Sequence, residues 1–308
     1  MKKFCIKLCL YLLLIYTISF IIDLVFSKIA KDGNEYTSWN DLYANNINAD
    51  LLVFGSSRAM NHFNTLIIED SLKLQSYNFG FSSARIEISL LRLREHLRVC
   101  SIKPQYVTLE IDWLTIDNEK RLSHPYRIFP YLLFNGNMYK YTHHFKGYHS
   151  YFYVIPMVRY GKYLMEIFRN RYDSFTKTNN NNRKGYVAIN DNWNGNTNIG
   201  EIIVSIHQEE IKYLDEFVEV CKSNQIKLNF VYTPEYIEAT KIVKNRDAVV
   251  KYIQNYAEDH SIPFINFSQE KFCSDTSFFY NNRHLNSRGA DKFTSEYYVP
   301  WIKSLYKL

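Results

Sequence analysis

Glycine and proline are scarce in this 308-residue chain, at ten and seven residues. That excludes collagen-like repeats and linker-type architectures. Cysteine is scarce too, and Cys5, Cys9, Cys100, Cys221 and Cys273 show no metal-type spacing. Cysteine usage therefore encodes no zinc site, and it leaves either one disulfide among the last three or three buried thiols. An excess of one charge is also missing. Lys plus Arg is 37 and Asp plus Glu is 31, a net charge of +6. A disordered polyelectrolyte needs far more charge and less apolar content. No internal repeat is visible.

Aromatic residues are abundant, with 26 Tyr, 21 Phe and 4 Trp. They are unevenly spread. Sixteen fall between Arg121 and Phe175, together with eight cations, two acids and His124, His143, His144 and His149. This stretch is followed by a polar tract, Thr178 to Arg183, that reads as a loop. Three readings fit the stretch: a sugar-stacking platform with cations for acidic groups, a surface docked on lipid headgroups, or a small helical cap whose aromatics form its own core. The histidines lack companion Cys or carboxylate spacing, so no metal is expected.

The N-terminus carries the one long apolar run, from about Leu8 to Phe26. Its length is close to the roughly 20 residues needed to cross a bilayer. The end of the run has no small-residue cleavage pattern, so a retained signal anchor over residues 1–32 is expected rather than a removed peptide. Asp23 lies toward the far end, where a charge costs less than at mid-bilayer. Lys2, Lys3 and Lys7 precede the run, which places the N-terminus in the cytoplasm and the body outside. An exported body is not expected to meet nucleic acid.

The remainder, 33–308, reads as α/β. Short β-like runs at 49–54, 74–79, 106–111, 226–232 and 262–267 end in turn or polar residues. Helical patterns at 84–99, 209–221 and 247–257 lie between them. Alternation of this kind means a parallel sheet with its crevice beyond the carboxyl ends of the strands. The aromatic stretch interrupts that rhythm as an insertion over 118–205. Residues just after each strand are the candidates for chemistry. Gly55-Ser56-Ser57-Arg58 follows the first strand, where a serine hydroxyl reaches the crevice beside a helix N-terminus. The same residues also suit a plain helix cap. Near the C-terminus, Asn281-Asn282-Arg283-His284-Leu285-Asn286 precedes Ser287-Arg288-Gly289-Ala290 and a final helix.

Taken together, Gly-x-Ser after the first strand and His-Leu-Asn-x-x-Gly-Ala before the last helix resemble the SGNH/GDSL hydrolase superfamily. The C-terminal pattern is similar to that of its membrane-anchored, surface-polysaccharide branch, as is Thr233-Pro234-Glu235. The resemblance covers about 48–115 and 206–308 and implies a three-layer, flavodoxin-like parallel sheet carrying an inserted, mostly helical aromatic cap. It implies Ser57 as nucleophile, His284 as base and Asn281 as the residue that orients the ring. It also implies an oxyanion hole from the Ser57 and Gly80 N–H groups, with Asn78, Arg58 and Asp112 as substrate or support residues, and no cofactor. Two positions depart from the pattern. Asp112 stands where the third block supplies an Asn donor, and Asn281 stands where an Asp usually holds the histidine, unless Asp275 or another carboxylate acts instead. The implied activity is serine-dependent O-acyl esterase or acyltransferase action, with acetyl the expected group, on a cell-surface glycan, partnered by a membrane-bound O-acyltransferase. The alternative is a catalytically impaired glycan-binding or assembly protein.

Overall fold

The computed structural model describes residues 1–117, 122–176, 182–195 and 200–308. The start of the expected insertion at 118 and most of the polar tract, 178–181, lie outside the described residues. Two compact units are present. One joins Met1–Asn40 to Lys120–Asn180, and the other joins Asp41–Glu119 to Asn181–Leu308.

The first unit is built on helix α1 (Lys2–Lys31). This helix is long and apolar enough to cross a membrane. Its one acid, Asp23, is not simply placed at a cheap depth, because it is buried and fully partnered. Arg159 grips it bidentately at 2.7 and 2.6 Å, the Met157 N–H donates at 2.6 Å, and Ser27 Oγ donates at 3.1 Å. A planar guanidinium matches a carboxylate in this two-bond geometry. The aromatic segment supplies its own core around this pair. The Phe129 ring meets Tyr148, Phe152, Tyr160 and Tyr163. Phe26 of α1 packs edge-on against Tyr160 and Phe168. The elements here are short 3-10 and α-helices, such as Pro125–Tyr131, Gly136–Thr142 and Leu164–Thr176.

The second unit holds a five-stranded, all-parallel sheet. Its strands are β1 (Leu51–Phe54), β2 (Ser76–Asn78), β3 (Tyr106–Glu110), β4 (Lys227–Tyr232) and β5 (Phe264–Asn266). Their spatial order is β2-β1-β3-β4-β5. This is the doubly wound flavodoxin-like order, in which the chain reverses direction of winding between β1 and β3. All five β-like runs of the sequence are strands, each trimmed at its ends. Leu51 and Val53 enter a core with Phe63, Ile68, Phe293 and Ile302. The alternate residue, Phe54, stacks on Phe79 and meets Phe217 edge-on. β1 is thus covered on both faces, as continuous apolar strands require.

Helices α2 (Ser57–His62), α3 (Ile86–Val99), α4 (Gln208–Ser223) and α5 (Arg246–Asp259) connect the strands. The chain ends in a helical stretch from Ser287 to Tyr306 with a π segment at Phe293–Tyr298. Residues 182–189, counted with the insertion in the sequence reading, are laced onto the sheet unit. The Asn78 N–H donates to Lys184 O, Asn61 to Val187 O and the Ser287 N–H to Ile189 O. Cys100, Cys221 and Cys273 are buried free thiols, not a disulfide pair and a remainder.

Candidate active site

The turn after β1 is shaped by Gly55. Its φ of +141° is one that side-chain-bearing residues avoid, and a Cβ there would lie 2.7 Å from Glu110 Oε2. The turn delivers two adjacent serines with different fates. Ser56 is the N-cap of α2, since its Oγ accepts the Arg58 N–H at 3.1 Å. Its own hydroxyl hydrogen and N–H both go to Glu110 Oε2, at 3.0 and 3.1 Å. Ser56 is therefore spent on structure. Ser57, at the first turn of α2 and half-buried, has its Oγ 2.7 Å from His284 Nε2. The C-terminal histidine thus reaches the first-strand serine across 227 residues of chain.

The proton positions on His284 follow from Asn281. The Asn281 Oδ1 accepts the N–H groups of Arg283 and His284 at 2.9 and 3.0 Å and lies 3.0 Å from His284 Nδ1. Two backbone N–H donors can face only the amide oxygen, so the amide orientation is determined. Nδ1 must then carry the hydrogen, and Nε2 presents its lone pair to the Ser57 hydroxyl. Burial, and then the charges of Arg283 and Arg58, push the His284 pKa down to about 3. The imidazole is neutral at physiological pH, so Nε2 is an acceptor, but with its pKa this far below neutrality it is a weak base. Asp275, the candidate substitute carboxylate, does not serve this histidine. It is exposed and caps a 3-10 turn by accepting the Ser277 N–H at 2.9 Å.

Arg58 is fully buried and faces away from any substrate role. Its Nη1 donates to Asp112 Oδ2 at 3.1 Å, its Nε donates to Thr233 Oγ1 at 3.0 Å, and its Nη2 donates to the Thr233 carbonyl. Glu235 and Glu110 lie 3.5 and 3.8 Å from the guanidinium. Asp112 splits its oxygens between Arg58 and the Leu114 N–H, which it caps at 2.7 Å. It is a helix cap and counter-ion, a support role and not a substrate contact. Burial, with the nearby Asp112 charge, pushes the Glu110 carboxyl up to about 7 despite Arg58.

The expected second oxyanion donor needs correction. The Gly80 N–H is already donated to Asn78 Oδ1 at 2.8 Å. Gly80 is required here for space, because a Cβ would lie 2.2 Å from the Met60 backbone nitrogen. Asn78, buried, turns its Nδ2 to the Ala59 and Phe63 carbonyls at 2.8 and 3.1 Å and so pins the end of β2 to α2. Among the described residues no acceptor takes the Ser57 N–H, which leaves it as the available donor at the α2 N-terminus.

Sequence reasoning missed His62 on α2. Its Nε2 accepts the Leu285 N–H at 3.0 Å, and its ring stands edge-on to His284 with centroids 6.2 Å apart. Burial, Arg58 and His284 hold its pKa well below the usual imidazole range, so it stays neutral and can accept that bond. Glu110 and Arg283 were missed as well. Arg283 lies over the Trp113 ring at 4.7 Å with its Nη2 3.7 Å from Asp112. The only sequence signal for Glu110 was its place at a strand end that faces the crevice, and for His62 its place five residues after Ser57.

No family profile and no curated protein matches this chain. Solved structures do. The psychrotrophic esterase EstA from Pseudoalteromonas sp. aligns over 83% of this chain and 98% of its own, at 10% identity and a TM-score of 0.43. A GDSL-like lipase from Bacteroides thetaiotaomicron aligns over 87% of this chain and 99% of its own, at 12% identity and a TM-score of 0.41.

Proposed function

We propose that this chain is a membrane-anchored, SGNH-like serine O-acyl esterase or acyltransferase acting on a cell-surface glycan. The observation that carries it is the 2.7 Å approach of Ser57 Oγ to an unprotonated His284 Nε2. That is a nucleophile–base pair within hydrogen-bond reach, with the base oriented by a third residue. The pair lies at the β1/β3 reversal, where parallel sheets of this order place their ligands.

In the first half-reaction, Ser57 Oγ bonds to the acyl carbonyl carbon while its proton passes to His284 Nε2. The carbonyl electrons move onto oxygen, and the Ser57 N–H donates to that oxyanion, a contact worth about 2.7–4 kcal/mol. Collapse breaks the bond to the leaving alkoxide, which takes the proton from His284. Water, or a sugar hydroxyl, then attacks the acyl-serine by the reverse sequence and releases acid or a new ester. The glycan assignment rests on the His-Leu-Asn-x-x-Gly-Ala motif and on the apolar α1, which the lysine bias orients with the body outside the cell. A membrane-bound O-acyltransferase is the partner this setting calls for.

Incubating the purified full chain in detergent with an O-acetylated polysaccharide tests the reading. Release of acetate, or its transfer to an added acceptor glycan, is the expected result. Glycan binding with no turnover of any acyl ester would instead favour the impaired alternative, which Asn281 and the committed Gly80 N–H support.

The amide at Asn281 sets the rate. It orients His284 but offers no charge to offset the imidazolium formed during attack. Asn281→Asp keeps the shape and the two backbone acceptances and adds that charge 3.0 Å from Nδ1. We expect kcat/KM to rise by about 10- to 100-fold. The neutral imidazole is the active form, so activity is present above the folded pKa and lost as pH falls through it. In the wild type that loss falls near pH 3. In the variant the acid limb moves upward, and an unchanged pH–rate profile would show that His284 is not the base.

A further inference from the structure

The aromatic unit reaches down α1 into the apolar run itself. Tyr16 donates to the Val154 carbonyl at 2.6 Å, Ser19 to the Pro156 carbonyl at 3.4 Å, and the Phe20 ring lies 6.1 Å from Phe134. At 1.5 Å per residue, Tyr16 and Phe20 lie roughly 15 and 9 Å inside the end of the run at Phe26. If α1 spans the membrane, as the proposed function holds, then Phe134 and 154–156 lie at hydrocarbon depth.

The local backbone suits such a place. Irregular chain is tolerated there only when its polar groups are satisfied within the protein. Val154 and Ile155 donate their N–H groups to Tyr151 O, Val158 donates to Pro156 O, and Met157 donates to Asp23. Pro156 has no N–H to satisfy. The side chains at this level are apolar and bare. Phe134 is 61% exposed and Val154 51%, and Ile155 and Val158 are exposed beside them. An apolar patch of this kind marks a membrane or partner surface.

A groove of about 590 Å³ opens in this patch, lined by Phe134, Gly136, Tyr139, Tyr151, Tyr153 and Val154. Its size suits a small ligand. Its exposed lining is overwhelmingly apolar, which suits an acyl chain better than a sugar. The Tyr153 hydroxyl is paired with Thr142 Oγ1 at 2.7 Å, and the Asn135 Oδ1 at its edge caps the Met138 N–H at 3.1 Å. Exposed Lys140, Lys146, Lys162 and Arg169 in the same unit are the charges that anionic headgroups attract. We propose that this groove holds an acyl chain of a bilayer phospholipid, so that residues 134–158 are seated in the outer leaflet beside α1.

Gly136 provides the test. A Cβ at this position meets no atom within 4 Å, so Gly136→Trp projects an indole into the groove without displacing backbone. Full-length protein is reconstituted in phosphatidylethanolamine–phosphatidylglycerol vesicles containing phosphatidylglycerol with a diazirine in its acyl chain. After illumination, adducts are mapped by mass spectrometry. We expect adducts on peptides covering 134–139 and 150–158 as well as on α1. Gly136→Trp should lower the first two sets by about tenfold, the change given by about 1.4 kcal/mol of lost binding. Its α1 adducts and its Ser57 reactivity should be retained. Adducts on α1 alone, or equal labelling in the variant, would overturn the groove assignment while leaving the span standing. An unlabelled α1 would remove both.

Discussion

Ser57→Ala will abolish labelling of the full chain by a fluorophosphonate probe and lower ester turnover by about 100- to 10,000-fold, the usual worth of a positioned base and its nucleophile. The neighbouring variant, Ser56→Ala, will keep the label. The physical distinction is where each hydroxyl hydrogen goes. Ser56 gives its hydrogen to Glu110, a buried acceptor, and uses its lone pair as a helix cap. Among the described residues, the Ser57 hydroxyl has His284 Nε2 as its one partner. The cost of Ser56→Ala is structural instead, about 1 kcal/mol for a lost N-cap. His284→Ala should match Ser57→Ala in both readouts, because either change removes the same proton transfer. Labelling of Ser57→Ala at the wild-type level would end the nucleophile assignment, whatever the glycan binding shows.

Arg58→Met will cost about 3–5 kcal/mol of stability, the penalty for breaking a buried ionic group by removing one partner. Arg58 is the cation shared by Asp112, Glu235 and Glu110, all buried. Arg246 remains on Glu235 at 2.9 Å, but among the described residues the one cation Asp112 retains is Arg283, at 3.7 Å. The deficit should depend on pH. Burial already holds the Glu110 carboxyl above its unfolded value, and without the guanidinium that opposes this shift it rises further. The folded protein then binds more protons, so its stability is favoured at low pH and lost as pH rises through the folded pKa. Glu110, already held up at about 7, leads this loss. Urea midpoints for wild type and variant should therefore keep a constant gap at lower pH and diverge as pH rises through about 7. Parallel midpoints would mean that the arginine is not the counter-ion. Arg58→Lys keeps the charge but cannot bridge Thr233 and Asp112 together, and should fall between the two.

The strands and the helices between them were legible because they depend on local pattern, whereas the Ser57–His284 pairing was expected only from the resemblance carried by two distant motifs. Apolar runs of six or seven residues ending in turn residues have few other uses in a chain that alternates them with amphipathic helices. The serine turn and the histidine motif each carry their own spacing. The partners of Arg58 were not legible. Asp112 and Glu110 are 54 or fewer residues away and Thr233 is 175 away. Only the order β2-β1-β3-β4-β5 brings those strand ends together. Asp23 shows the same limit. Its position in an apolar run suggested a charge tolerated near an interface, whereas Arg159 meets it from 136 residues downstream.

By itself, then, the sequence determined the α/β alternation, the apolar helix and the aromatic and basic segment, and its motifs nominated Ser57 and His284. Tertiary structure alone decided that Ser56 is structural, that Asn281 forces the useful tautomer of His284, and that the Gly80 hydrogen belongs to Asn78. It also decided that Arg58 is a buried counter-ion rather than a substrate clamp. The reason is directional. A residue type states how many hydrogens it can give or accept, but only the packed chain states which neighbour takes them.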